Sequence, residues 1–169
     1  MSSHDADRRA VAFHESGHCW GYWVVGRRFR YATLRPRTEG FNGATLGYRD
    51  WQWDELHPLS IVAASGPVAE LLHRIDRNPR HPDLERHRQA ALEGGRSDLP
   101  RSGGILKDEP RMRRLNDYID RHWSGVSQVA ETLLDQGRVT GTHAFEIFDA
   151  TAPSPKDVEA VSRALWPGG

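Results

Sequence analysis

Ala10-Val11-Ala12-Phe13-His14-Glu15-Ser16-Gly17-His18-Cys19-Trp20-Gly21-Tyr22-Trp23-Val24-Val25-Gly26 is the stretch on which the rest of the chain turns. It holds His14-Glu15-x-x-His18. On a helix, residues four apart share a face, because the period is about 3.6 residues. The imidazoles of His14 and His18 can therefore converge on one metal ion. Glu15 lies about 100° further round the same helix, so it flanks such an ion instead of binding it. From there it can take a proton from a water on the ion. Two histidines and a glutamate in this pattern point to zinc, with the glutamate as general base.

The surrounding residues agree with a helix. Asp5 or Asp7 can cap its start, no proline interrupts it, and Gly26 serves as its C-terminal stop, giving a helix over about 7–25. Val11, Cys19, Tyr22 and Val25 follow the histidine side, while Phe13, Trp20 and Val24 make a second apolar strip. The helix is expected to be buried on most sides. Cys19, one helical step off the ligand face, reads as a small core residue. A buried His-Glu-His group with no metal would need three separate sets of polar partners.

His14-Glu15-Ser16-Gly17-His18, followed by an apolar run, resembles the H-E-x-G-H motif of the zinc peptidase domain of FtsH-type metalloproteases. Residues 33–48 look like that family's strand, Pro-Arg turn and return strand. Residues 62–72, Val-Ala-Ala-Ser-Gly-Pro-Val-Ala-Glu-Leu-Leu, look like its Gly-x-x-Ala-Glu helix, and residues 122–134 are similar to its C-terminal helix. The likeness runs in order over about 8–148, with specific motifs early and weak ones late. It implies a zinc peptidase domain, and with no Gly-rich phosphate loop in the sequence the expectation is a stand-alone one without the family's ATPase.

The 169 residues read as one domain, 1–169, with a loose tail over 1–6 and a Pro-rich C-terminal segment over 151–169. Basic and acidic residues balance at 23 each, which argues against a general attraction to nucleic acid or to an anionic membrane. A single cysteine excludes an internal disulfide. There is no apolar signal core at the N-terminus, no membrane span and no Gly-rich phosphate loop. The expected setting is soluble and cytoplasmic, with no unfolding motor of its own and any oligomer or separate ATPase partner left open.

Residues 29–49 alternate as a hairpin, with turn chemistry at Gly40-Phe41-Asn42-Gly43 and a bend at Pro36. Trp51 and Trp53 fit one side of a short strand. A second helix is expected over 58–75, interrupted and kinked at Gly66-Pro67. Its small run Ala63-Ala64-Ser65-Gly66 suits close approach by Gly17. Glu70, the one carboxylate of that apolar stretch, either bonds a neighbouring group or orients His14 or His18 through the ring nitrogen away from zinc. A short polar helix follows over 83–93, stopped by Gly94-Gly95. Residues 96–109 have no regular pattern. Helices are expected over 110–123, 124–136, 140–150 and 155–165.

A catalytic zinc site takes three protein ligands and keeps one open position. The resemblance implies that the third is an aspartate after the Ala-Glu helix, and two residues compete. Asp98, in Gly95-Arg96-Ser97-Asp98-Leu99, matches the family's wording less one residue, and is followed four residues on by the small Ser102. Asp83 keeps the family's distance but is followed by the bulky His87. The wording favours Asp98, subject to geometry. His73, His81 and His87 read as loop or helix histidines.

The expectation is a mainly α (α+β), zincin-like helical peptidase domain with a small β-hairpin beside the active-site helix. His14, His18 and Asp98 hold Zn2+, and Glu15 is the catalytic base. The implied substrates are flexible peptides or unfolded protein. The rival is a catalytically silent module that keeps the fold for binding.

Overall fold

The computed structural model describes residues 3–35, 43–47, 56–152 and 158–165. Within these it is mainly helical with a small antiparallel sheet, as expected. Helix α1 spans Ser3–Val24. It starts four residues before the expected position, so residues 3–6 are helical and not tail, and Asp5 and Asp7 lie inside it instead of capping it. Its end is as expected. Gly26 takes φ +68, the Gly26 N–H bonds the Trp23 carbonyl, and the Arg27 N–H bonds that of Tyr22. This pairing satisfies two carbonyls that the helix end leaves over, and only glycine adopts that φ without strain.

Strands β1 (Phe29–Thr33) and β2 (Ala44–Gly47) pair antiparallel, as the hairpin pattern predicts. A third strand, β3 (Arg138–Thr140), pairs with the other side of β1, giving the order β2-β1-β3. That leaves β2 at an edge. Pro36, residues 40–42 of the turn, Trp51 and Trp53 lie outside the described residues.

Helix α2 (Leu56–Arg74) runs on through Gly66-Pro67, where an interruption was expected. Its middle is the platform for α1. A methyl group at Gly17 would overlap the Ser65 carbonyl, and one at Gly21 would come to 2.8 Å of the Val62 Cα. The small residues on both helices therefore let the two backbones touch, with Gly17 meeting Ser65 and Ala69 as its small neighbours suggested. Around this contact Phe13, Trp20 and Trp23 of α1 and Ile61, Val68 and Leu72 of α2 are buried. Burying a large apolar side chain contributes on the order of 1.5–3 kcal/mol.

Helix α3 (Leu84–Gly94) is followed by two short 3-10 turns, Leu99–Arg101 and Ile105–Lys107. Helices α4 (Glu109–Arg121), α5 (Trp123–Gln136), α6 (Gly141–Thr151) and α7 (Val158–Leu165) complete the order. Leu115, Ile119, Val126, Val129, Leu133 and Phe148 close the core over the far side of α1. Among the described residues, no helix is long and apolar enough to cross a membrane.

Candidate metal centre

His14 and His18 face the same way from α1, as their spacing requires. Their Nε2 atoms lie 3.1 Å apart. Asp98 comes in from the start of the first 3-10 turn. Its Oδ2 is 3.2 Å from His14 Nε2 and 3.5 Å from His18 Nε2. All three residues are buried. A tetrahedral zinc with bonds of about 2.0–2.1 Å separates its ligand atoms by about 3.3–3.4 Å. The triangle of donors is that size.

The other ring nitrogens are already used. His18 Nδ1 lies 2.8 Å from the Val62 carbonyl oxygen, which can only accept, so this nitrogen donates. His14 Nδ1 lies 2.9 Å from Glu70 Oε2 and donates to that carboxylate. These partners assign each ring its tautomer. Both Nε2 atoms then turn lone pairs toward each other and toward a carboxylate, so the donor set fits a cation at its centre. Of the two histidines, Glu70 thus meets His14.

The same demand for positive charge shows in the titration of these groups. Burial lowers the pKa of His14, but hydrogen bonds to Asp98 and Glu70 outweigh it and raise it to about 10. His18 is also raised: burial lowers it, but the charge of Asp98, its hydrogen bond and the charge of Glu15 together outweigh burial. Burial pushes Asp98 up, yet the two histidines hold its carboxyl well below the usual carboxylate range. Without a metal, protons satisfy the cluster.

Glu15 stands beside this triangle and is not part of it. It is buried, and its Oε2 accepts a hydrogen bond from Thr45 Oγ1 of β2 at 2.7 Å. Gly43 packs against the same carboxylate, where a methyl group would come to 2.7 Å of Oε1. The hairpin thus holds the candidate base. Glycines wall the rest of the site: a methyl group at Gly66 would overlap the His18 ring, and one at Gly95 would reach 3.4 Å from His14 Cε1. A cavity of about 880 Å³ opens over the group, lined among others by Val11, Tyr22, Ala44, Thr45, Arg74 and Arg101.

Asp83 does not reach this centre. It is exposed and belongs to a separate group with His81 and His87, whose donor atoms lie within 4.8 Å of one another. There His81 Nδ1 accepts the Asp83 backbone N–H at 3.1 Å, which puts the ring proton on Nε2. His73 is stacked on Phe13 with ring centroids 4.1 Å apart. Cys19 is buried, as expected. Sequence reasoning did not single out Thr45. Its signal was its place on the return strand two residues after Gly43, which does not say what it faces.

No family model matches the chain, and no curated protein matches it.

Proposed function

We propose that this chain is a zinc-dependent metallopeptidase domain that cleaves flexible or unfolded polypeptide. The observation that carries the reading is the convergence of His14 Nε2, His18 Nε2 and Asp98 Oδ2 within 3.1–3.5 Å, with each histidine's other nitrogen committed elsewhere. These three residues would hold the ion. Bound there, zinc supplies Lewis acidity toward a peptide carbonyl and makes a coordinated water acidic near pH 7.

Glu15 takes a proton from the attacking water at its carboxylate as the water oxygen bonds to the peptide carbonyl carbon, and the C–N bond later breaks. Thr45 occupies Oε2, which directs the proton to Oε1. The proton then passes to the departing amine, so that the carboxylate is regenerated. The edge strand β2, beside the cavity, can bind an extended peptide by backbone hydrogen bonds. The proposed setting remains the cytoplasm, with substrates that need no unfolding.

The test is Glu15→Gln, which keeps size and most hydrogen bonding while removing the base. Zinc content and melting temperature should be unchanged. Hydrolysis of casein and of a mixed peptide library should fall about a hundred- to ten-thousand-fold. A zinc-loaded wild type that cleaves neither would favour the silent binding module. Equal rates for variant and wild type would remove Glu15 from the chemistry.

A further inference from the structure

Glu70 divides its two oxygens between two partners. Oε2 accepts from His14 Nδ1 at 2.9 Å. Oε1 accepts from Arg74 Nε at 2.7 Å, and Arg74 Nη2 lies 2.7 Å from the same oxygen. The two residues are one turn apart on α2, a spacing that brings side chains together. Glu70 is buried at 4% exposure, whereas the Arg74 side chain is one-quarter exposed and lines the cavity. The Gly94 backbone closes the remaining side, where a methyl group would stand 3.2 Å from Oε2.

A buried carboxylate with a single hydrogen bond to an imidazole can rotate about its last bond. Two N–H groups on the opposite oxygen remove that freedom. A guanidinium provides this because its donors form a rigid fork, while an ammonium offers one point of contact. The carboxylate plane in turn sets the plane of the His14 ring, and with it the direction of Nε2.

We propose that Arg74 is a positioning residue for the metal centre. It fixes Glu70, and through Glu70 holds the His14 ring so that Nε2 meets His18 Nε2 and Asp98. The inference rests on the zinc reading above. It makes the wall of the cavity part of the ligand-orienting shell, two side chains removed from the ion.

The test compares zinc dissociation constants, by competition with a chromogenic chelator, for wild type, Arg74→Met, Arg74→Lys, Glu70→Gln and the double variant Arg74→Met/Glu70→Gln. Glu70→Gln should weaken zinc about 10- to 100-fold, the usual cost of losing an orienting partner, and Arg74→Met should weaken it in the same direction by no more than that. Arg74→Lys should lose less, in the same direction. The double variant should be no weaker than Glu70→Gln alone, because both act on His14 by one route. Nitrogen-15 spectra of zinc-loaded protein should show a proton on His14 Nδ1 in wild type and its loss to exchange in Arg74→Met. Unchanged affinity in both arginine variants would overturn the inference, as would additive losses in the double variant. If Arg74→Met does not fold, Arg74→Lys decides by the same criterion. A folded wild type that takes up no zinc would instead sink the metal reading itself.

Discussion

Among the described residues two groups carry the same chemistry, two histidines and an aspartate, and they differ in how they are held. His14, His18 and Asp98 are buried, and the unused nitrogen of each histidine is bonded to Glu70 or Val62. His81, Asp83 and His87 sit where a loop enters α3, with Asp83 exposed. There the hydrogen bonding works against an ion. His81 spends Nδ1 as an acceptor on the local backbone, so binding through Nε2 would require a proton to move and that bond to break. Donor type and proximity are shared. What separates the groups is whether partners further out leave each ring's Nε2 free toward the other donors, and how deeply the donors are buried.

The largest expected difference is in metal content. His18→Ala should abolish stoichiometric zinc, while His87→Ala should leave it at one ion per chain after dialysis. Zinc lost from the His87 variant would reverse the ranking of the two groups.

Next come the aspartates. Asp98→Ala should weaken zinc by more than the roughly 10- to 100-fold cost of losing an orienting partner, because it removes a ligand. Asp83→Ala should have no effect. Both are read by chelator competition at constant pH.

A third effect concerns the platform that only the buried group has. Gly17→Ala inserts a methyl group into the Ser65 carbonyl, where α1 and α2 touch. Overpacking of this kind costs about 1–3 kcal/mol, read by denaturant unfolding. Gly94→Ala, whose methyl would stand at 3.2 Å from Glu70, should cost less stability.

The smallest effects are on titration in zinc-free protein, and they have opposite signs. His14 is raised from 6.5 to about 10 and His18 is also raised. Their contribution to stability is therefore full below pH 6.5 and lost as pH rises through each folded value, about 10 for His14. Asp98, lowered from 3.8, contributes above that pH and loses its contribution on further acidification. His87 is lowered from 6.5, by burial first and then by His81, so its contribution holds above pH 6.5 and fades below. Proton NMR of the ring C–H signals should show His87 titrating on the acid side of 6.5, with His14 still protonated at pH 8. Zinc loading should remove the His14 and His18 titrations and leave that of His87 in place.

Much of this was legible before the fold. The spacing of His14, Glu15 and His18, the stop at Gly26, the alternation of β1 and β2 and the small faces of α1 and α2 are local patterns, set by helical and strand periods within a few residues. The start of α1 was misplaced because aspartates serve equally well as caps and as first-turn residues. Gly66-Pro67 was expected to interrupt and kink α2, whereas the helix runs without a break from Leu56 to Arg74. β3 was missed because three residues are too few for an alternation to show. It exists because β1 offers an unpaired edge.

By itself the sequence determined which residues could bind a metal and which carboxylate could act as base. It narrowed the third ligand to Asp98 or Asp83 and the role of Glu70 to two possibilities. Only the tertiary structure brings Asp98, and not Asp83, to the two histidines, and Glu70 to His14 Nδ1. A ligand atom must arrive within a few ångströms of two others, and its distance along the chain says nothing about where the intervening turns deliver it. Asp98 is brought in 84 residues after His14, and Glu70 comes beside the same ring from 56 residues away. Thr45 reaches Glu15 from a strand 30 residues on. Those meetings depend on how α2, the 3-10 turns and the hairpin pack against α1, and no period within the sequence encodes them.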